Sequence, residues 1–238
     1  MSNWLSRTKL LIGSESLNKL QSAKVAVIGL GGVGGAAAEA LCRAGIGNIL
    51  LMDNDDIEQT NLNRQILATT ESLGERKCDS AQKRLKSINP NINCTVKDVF
   101  YLPETREELF DYDPDYIIDA IDTVTAKLDL IETSFQRNIP ILSSMGTGNR
   151  LKPDQLCIGT IEDTAGFGCG LSRVMRRELR RRNISGVCVL YSKETPLNIG
   201  FSPDSSNGRH SPGSISFVPP VAGYILASEI VRKIIGHI

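Results

Sequence analysis

Short apolar runs alternate with amphipathic stretches along the first 145 residues of the chain. Runs of Val, Ile and Leu bounded by Gly, Asn or Pro are typical of buried strands. The runs of this kind are residues 24–30, 48–53, 93–99, 116–121 and 140–144. Stretches with helical periodicity lie between them, at residues 36–44, 76–88 and 124–136. In the last of these, apolar side chains recur every three or four positions, which predicts one face packed against a sheet. The residues of this face are Val124, Leu128, Ile131 and Phe135.

The pattern loosens after residue 149. The elements predicted there are strands over residues 155–161 and 186–191 and helices over residues 171–182 and 221–235, the last entered through Pro219 and Pro220. Residues 196–213 are rich in Gly, Ser, Pro and Asn, which predicts a mobile loop. The alternation as a whole predicts an α/β fold, a Rossmann-like, doubly wound and mostly parallel sheet with an α/β C-terminal extension. We expect one domain over residues 1–238, with halves at 1–150 and 151–238.

The composition narrows the class of protein. With 41% hydrophobic and 23% charged residues, the 238-residue chain is neither disordered nor a small disulfide scaffold. Lys and Arg number 27 and Asp and Glu number 27, so no overall field attracts nucleic acid or a membrane, and a polyanion site has to be local. The apolar runs are far shorter than the ~20 residues that span a bilayer, and the first residues lack a signal-peptide core. We expect a cytoplasmic protein with no membrane partner.

Six cysteines occur without a CxxC pair, which argues against a zinc site and against redox chemistry. We expect reduced thiols that behave as small buried apolar groups. Cys169 alone lies among glycines, a context that predicts exposure. A helix start at this position would also lower its pKa, although we favour an inert side chain.

A glycine motif follows the first predicted strand. Gly29, Gly31, Gly32 and Gly34 fit G-x-G-x-x-G between a strand and a helix, where bare backbone N–H groups and the helix N-terminus favour phosphate. Asp53, 19 positions later at a strand end, is placed to accept from ribose hydroxyls. The motif predicts a nucleotide site, which NAD and ATP fit equally well.

The following residues favour a triphosphate. Arg64 and Lys77 would neutralise phosphate charge and stabilise a leaving pyrophosphate. Asp122 ends a predicted strand at the ligand-binding edge of the sheet and is a natural carboxylate for Mg²⁺.

Motifs along nearly the whole chain resemble those of the E1-like adenylating family, which includes the molybdopterin- and thiamin-pathway activating enzymes (ThiF, MoeB and HesA). The runs are RTKLLIG at 7–13, VIGLGGVGG at 27–35, AGIGNILLMDNDDIEQTNLNRQ at 44–65, IDAIDTV at 118–124 and GSISFVPPVAG at 213–223. The resemblance implies that the four glycines wrap ATP and that Asp53 holds its ribose. It also implies that Asn61, Arg64 and Lys77 contact the phosphates and that Asp122 coordinates Mg²⁺. Arg7 matches an arginine that such enzymes donate across the dimer interface, so a homodimer is implied.

Within this family the chain is most similar to the tRNA threonylcarbamoyladenosine dehydratase branch. That resemblance implies ATP-dependent adenylation of the carboxylate of threonylcarbamoyladenosine, beside a tRNA anticodon, followed by closure to the cyclic form. It assigns residues 1–150 to nucleotide binding and residues 151–238 to tRNA binding and dimerisation. A sulfur-pathway protein is a further possible partner.

A basic stripe lies on the helix predicted over residues 171–182. Arg173, Arg176, Arg177 and Arg180 share one face at helical spacing. A solvated surface explains such a stripe as well as RNA does, and the resemblance favours tRNA. Arg150, Lys152 and Arg209 are expected to support that contact.

Two other functions are alternatives to the dehydratase. An activating enzyme for a ubiquitin-like sulfur carrier is the first, although its usual zinc-binding CxxC pairs are missing here. An NAD-dependent oxidoreductase that uses Asp53 on the cofactor ribose is the second.

Overall fold

The structure is a computed structural model that describes residues 4–198 and 212–236. Its centre is one seven-stranded sheet in the order β3-β2-β1-β4-β5-β7-β6. The strands are β1 (Lys24–Ile28), β2 (Asn48–Met52), β3 (Asn93–Lys97), β4 (Tyr116–Asp119), β5 (Ile141–Ser144), β6 (Leu156–Thr160) and β7 (Cys188–Ser192). All neighbours pair in parallel except β6, which runs antiparallel to β7 at the edge. The predicted doubly wound, mostly parallel sheet is confirmed. The strands predicted at β1, β3 and β4 each extend two residues beyond the observed ends.

Seven α-helices cover the sheet in the described part of the chain. They are α1 (Ser6–Ser22), α2 (Gly34–Ala44), α3 (Lys77–Ile88), α4 (Glu107–Phe110), α5 (Val124–Gln136), α6 (Gly170–Arg181) and α7 (Val218–Ile235). The sequence pattern predicts neither α1 nor α4. In α1 only Leu17 and Leu20 are buried, and the helix is broken at Gly13, whose φ is 81°. That leaves too short an apolar period to detect.

The C-terminal helix begins earlier than predicted. α7 starts at Val218, so Pro219 and Pro220 lie in its first turn rather than before it. Proline is tolerated there because the first N–H groups of a helix have no partner inside the helix.

The core has two parts, one on each face of the sheet. In β1, Val25 and Val27 belong to the part under α1, α2, α3 and α7, whereas Ala26 and Ile28 belong to the part under α5 and α6. The predicted face of α5 is confirmed for Leu128 and Ile131, but Phe135 is 42% exposed because it lies in the last turn, beyond the edge of the sheet core.

The helices α2 and α7 cross at very short range. A Cβ on Gly223 would lie 2.3 Å from the backbone oxygen of Val33 and 2.8 Å from the nitrogen of Ala37. Because Gly223 has no side chain, α7 lies directly on the start of α2. The same close crossing places Pro219 against Gly32, where a Cβ would lie 2.9 Å from the Cβ of the proline.

Within residues 4–198 and 212–236, no helix combines the length and the apolar character needed to cross a bilayer. Most of the loop predicted over residues 196–213, with Arg209, lies outside the described residues.

Candidate active site

A cavity of about 630 Å³ opens at the carboxyl ends of β1, β2, β4 and β5. It gathers most of the predicted nucleotide residues, which are Gly29, Gly31, Gly32, Asp53, Asn61, Arg64, Lys77 and Asp122. These residues come from four separate parts of the chain and meet because parallel strands end at one edge of the sheet. The cavity is large enough for a nucleotide.

The glycines of the turn after β1 have different structural roles. Gly29 has φ of 86°, and a Cβ there would lie 2.8 Å from the oxygen of Ala120. A Cβ on Gly34 would lie 1.7 Å from the oxygen of Gly29, so this glycine allows α2 to close against the turn. Gly31 faces open space, because the nearest atom to a Cβ there is 4.0 Å away. Gly31 therefore leaves room for a phosphate to approach the backbone.

The Asp53 carboxylate connects β2 to the glycine turn. Its Oδ2 accepts from the Leu30 N–H at 2.5 Å and its Oδ1 from the Asp55 N–H at 2.8 Å. Burial raises the pKa of Asp53, and the charge of Lys77 opposes that shift. A carboxylate has about four acceptor sites, so two remain for hydroxyl donors from a ligand.

Two cations lie in the cavity wall. Lys77 is only 6% exposed, and its Nζ lies 2.6 Å from Asp55 Oδ2. The Arg64 Nη1 donates to the Thr60 oxygen and to Asn63 Oδ1, each at 2.8 Å. Neighbours thus fix the direction of both side chains while each stays in the lining.

Two buried amide side chains, Asn61 and Gln65, also line the cavity. Asn61 Oδ1 accepts from the Glu58 N–H at 3.1 Å, which orders the short 3₁₀ turn Gln59–Asn61. Gln65 is 6% exposed, and its Oε1 has no hydrogen-bond partner within the described chain. A buried amide oxygen without a partner is costly, so a bound ligand or water would satisfy it. The sequence motifs include Gln65 but predict no role for it.

Asp122 lies at the cavity wall just after β4, where it is exposed. Across residues 4–198 and 212–236, no group of three or more His, Cys, Asp or Glu side chains is placed to hold a metal ion. Mg²⁺ keeps several waters and commonly takes one or two carboxylates plus substrate phosphates, so a single carboxylate facing a phosphate site fits this ion.

Beneath Asp122 lies a fully buried charged triad that the sequence analysis missed. Lys127 Nζ lies 2.7 Å from Asp119 Oδ2 and 3.0 Å from Ser143 Oγ, and that hydroxyl donates to Asp119 Oδ2 at 2.7 Å. Asp119 Oδ1 accepts from the Ile121 N–H, which shapes the turn that carries Asp122. Burial lowers the pKa of Lys127, and the charges of Asp119 and Asp122 oppose the shift.

One signal could have revealed this triad. Lys127 follows Val124 by three positions and precedes Ile131 by four, so it lies on the apolar side of its helix. A lysine on an apolar face needs a buried partner.

Arg7 lies on α1, exposed, and is not part of the cavity lining.

The arginine face predicted on α6 is present in the structure. Arg173, Arg177 and Arg180 are exposed and Arg176 is half-buried, whereas Met175 and Leu179 on the opposite side of the helix are buried. Its first turn reaches the cavity, because Leu171 belongs to the lining.

The expectation that Arg150 supports an RNA contact is wrong. Arg150 is 4% exposed, and its Nη1 donates to the backbone oxygens of Gly146 at 2.7 Å and Gly148 at 3.2 Å. It holds the loop whose glycines line the cavity.

The cysteines differ from one another less than expected. Cys42 and Cys78 are buried, and the other four, Cys94, Cys157, Cys169 and Cys188, are all intermediate. Cys169 Sγ caps α6 by accepting from the Ser172 N–H at 3.4 Å. Burial raises the pKa of Cys169, but hydrogen bonds from Ser172 and Gly146 and the charge of Arg150 outweigh it and bring the pKa below its usual value.

Comparison with known proteins adds a family and close relatives. A model described as the ThiF family matches residues 5–238. The tRNA threonylcarbamoyladenosine dehydratase of Bacillus subtilis is 39% identical over 248 residues, covering 100% of this chain and 97% of the relative. The crystal structure of E. coli tRNA N6-threonylcarbamoyladenosine dehydratase, TcdA, in complex with ATP has a TM-score of 0.87 at 30% identity, over 98% of this chain and 93% of that chain. Adenylyltransferase and sulfurtransferase UBA4 of Meyerozyma guilliermondii is 34% identical over 151 residues, only 63% of this chain and 35% of the relative.

Proposed function

The chain belongs to the ThiF family, and from that premise we propose that it is an ATP-dependent tRNA threonylcarbamoyladenosine dehydratase. It adenylates the free carboxylate of threonylcarbamoyladenosine beside the anticodon and closes the group to its cyclic form. The observation that carries this proposal is the full-length similarity to the B. subtilis dehydratase, together with a cavity that unites a glycine turn, two cations and a carboxylate.

The cavity residues divide the work on ATP. The backbone around Gly31 and the start of α2 receive the phosphates, and Asp53 accepts from the ribose hydroxyls. Arg64, Lys77 and Asn61 offset the negative charge that grows as pyrophosphate leaves. The unpartnered Gln65 Oε1 requires a donor, such as a hydroxyl group of the ligand or a water molecule, when the site is filled.

The reaction balances without an enzyme nucleophile. A carboxylate oxygen attacks the α-phosphorus, the bond to pyrophosphate breaks, and an acyl-adenylate forms. An atom of the carbamoyl group then attacks the acyl carbon and expels AMP. The nucleoside loses one water overall, and ATP ends as AMP and pyrophosphate.

Asp122 would hold a Mg²⁺ ion together with the phosphates. The ion, when bound, supplies positive charge at the phosphate oxygens. The buried pair of Lys127 and Asp119 fixes the turn that aims Asp122. No zinc is expected.

The tRNA lies along α6 in this proposal. The helix starts at the cavity and carries Arg173, Arg176, Arg177 and Arg180 away from it, so a base in the cavity and backbone phosphates on the helix are contacted together. The protein would act in the cytoplasm, where a sulfur-pathway protein remains a possible additional partner.

We further propose a homodimer in which Arg7 serves the site of the partner. Two features support it. Arg7 is exposed and outside the lining of its own cavity, and the same helix exposes Leu10 and Leu11 by 86% and 85%.

Activation of a sulfur carrier is the alternative function. Relatives named adenylyltransferase and sulfurtransferase match a smaller part of this chain than the B. subtilis dehydratase does, and the sequence has no CxxC pair. It is the less supported of the two.

The decisive experiment incubates the protein with ATP, Mg²⁺ and tRNA carrying threonylcarbamoyladenosine, followed by mass spectrometry of the nucleosides. We expect a product lighter by one water, formed only with ATP, and no reaction on unmodified tRNA. If neither tRNA stimulates ATP cleavage, while a carrier ending in Gly-Gly stimulates pyrophosphate exchange, the alternative is correct.

A further inference from the structure

The cavity of about 630 Å³ described above, here called the active cavity, meets the first turn of α6. A second cavity, of about 390 Å³, lies near the other end of this helix. Arg176 and Arg180 line it from the helix, and Glu162, Asn183 and Ser185 supply most of its other polar wall. The two arginines stand one helical turn apart, so both guanidinium groups can face one ligand.

The arginines of this region fall into two groups. Glu178 lies 2.9 Å from Arg177, 3.1 Å from Arg181 and 3.3 Å from Arg182. Neither Arg176 nor Arg180 has an ion pair within residues 4–198 and 212–236. Three arginines of α6 lack an ion pair in the described part of the chain, and two of them, Arg176 and Arg180, line the cavity, whereas the third, Arg173, does not.

Arg176 is already oriented. Its Nη1 donates to Thr164 Oγ1, and that hydroxyl, 2% exposed, donates to the Ile161 oxygen at 2.6 Å. One end of the guanidinium is thus fixed by the protein, and its remaining N–H groups make no hydrogen bond to any residue that the structure describes. A side chain ordered beforehand loses less entropy on binding.

Glu162 restricts what the cavity accepts. Its two carboxylate oxygens accept from the Gly186 N–H at 3.3 Å, and it makes no ion pair with the arginines of the cavity wall in the described structure. A free inorganic anion would gain from the arginines but be repelled by Glu162. The better ligand presents a phosphate and, close to it, a hydroxyl donor. A ribonucleotide has this arrangement, because its 2′-hydroxyl neighbours the phosphodiester, and DNA lacks it.

We propose that this cavity is a ribonucleotide pocket for the backbone of the RNA substrate. Arg176 and Arg180 bind a phosphodiester, and Glu162 accepts from the adjacent 2′-hydroxyl. Leu171 lines the active cavity, and Arg180 follows it by nine residues on the same helix, which is about 14 Å at 1.5 Å per residue. A few nucleotides span this distance, so one RNA reaches both cavities. The inference rests on the proposed tRNA substrate.

The test measures binding of a fluorescein-labelled anticodon stem-loop RNA, and of a DNA with the same sequence, to the full-length protein by fluorescence anisotropy. The double variant Arg176→Gln/Arg180→Gln should weaken RNA binding about tenfold. It should also lower the magnitude of the slope of log affinity against log salt by about one, as expected for one lost phosphate contact.

The matched control is Arg181→Gln/Arg182→Gln, which removes the same charge from the same end of the helix but from residues paired with Glu178. It should change RNA affinity less than threefold. Thermal melts and ATP binding show that each variant is folded. Equal losses in the two double variants would overturn the pocket and leave only general helix charge.

Glu162→Ala separates the pocket from simple electrostatics. Removal of a negative charge should strengthen nonspecific binding of RNA and DNA alike. The pocket instead predicts that the preference for RNA over DNA falls severalfold. An unchanged preference would overturn the assignment of Glu162.

The nucleoside assay distinguishes a failure of the proposed pocket from a failure of the proposed tRNA substrate. A wild-type protein that dehydrates its tRNA, with cavity variants that bind RNA normally, refutes the pocket alone. A wild-type protein that neither binds nor dehydrates tRNA refutes both.

Discussion

Lys127 has no solvent exposure, and its charge depends on Asp119 and Ser143. Lys127→Met would leave the Asp119 carboxylate buried without a counter-charge. Removing one partner of such a pair typically costs about 3–5 kcal/mol of the free energy of unfolding. Urea denaturation should show a loss of this size, and the double variant Lys127→Met/Asp119→Asn should lose less than Lys127→Met alone. A single-variant loss below about 1 kcal/mol would mean that the pair is not buried in solution.

Asp122 carries a more specific prediction, because it is exposed at the cavity and contributes little to the core. Asp122→Asn should lower ATP cleavage in the presence of modified tRNA by at least tenfold and raise the Mg²⁺ concentration needed for half-maximal rate, since an amide is a poorer ligand than a carboxylate. Its thermal melt should match that of the wild type. Asp111→Asn, at another exposed aspartate, is the control and should leave both quantities unchanged.

The different pKa shifts of the cysteines predict an order of thiol reactivity. Burial raises the pKa of Cys42 to about 11 and of Cys78 to about 12, whereas the hydrogen bonds and charge around Cys169 lower its pKa despite burial. A lowered pKa means a larger thiolate fraction at pH 7, and the thiolate is the nucleophile. Iodoacetamide with peptide mass spectrometry should therefore modify Cys169 ahead of Cys94, whose pKa burial raises to about 11. Urea-unfolded protein should lose this order, and equal rates in the folded state would contradict the predicted environment.

At the scale of elements, the glycine turn offers a matched pair of substitutions. Gly34→Ala places a Cβ 1.7 Å from a backbone oxygen and should cost at least about 3 kcal/mol of stability, because α2 has to move away from the turn. Gly31→Ala meets nothing nearer than 4.0 Å and should melt like the wild type, yet weaken ATP binding at least tenfold by filling the phosphate approach. Calorimetry and thermal melts separate the two effects. Normal ATP affinity in Gly31→Ala would show that the phosphates lie elsewhere.

The elements differ in how well the sequence predicts them. The strands at 24–30 and 48–53 were predicted because they are buried on both faces and read as continuous apolar runs. α1 was missed because its kink at Gly13 divides its apolar period, and the prolines placed the start of α7 too late. Strand prediction depends on local apolar runs. A helix such as α1, which buries only two side chains, has no comparable apolar pattern in the sequence.

The residues of the site also differ in how well the sequence predicts them. Residues next to a motif, such as Asp53 and Lys77, were predicted and line the cavity. The triad was not predicted, because Ser143 is 24 residues from Asp119 and pairs with it only once β4 and β5 are side by side. The buried position of Arg150 likewise depends on a fold-level contact with the loop around Gly146.

At the scale of the whole molecule, the proposed dimer is tested by complementation. Arg7→Ala and Lys77→Ala should each be inactive alone. If Arg7 acts in the partner's site, mixing and reassociating the two variants in equal amounts restores about a quarter of wild-type activity, because half of the dimers are mixed and each has one intact site. No recovery, with mixed dimers shown by native mass spectrometry, would mean that Arg7 does not act across the interface, and full activity of Arg7→Ala alone would place it outside the reaction.

The short crossing between α7 and α2 also matters during synthesis of the chain. α7 begins more than 180 residues after the start of α2, and its Gly223 and Pro219 lie against the start of α2 and the glycine turn. At about 5–20 residues per second, the ribosome takes roughly 10 seconds or more to make the helix that covers this surface. Until then the nascent chain carries an uncovered apolar face on α2 and an unsupported nucleotide turn. The nucleotide turn therefore gains its support from α7 only late in translation.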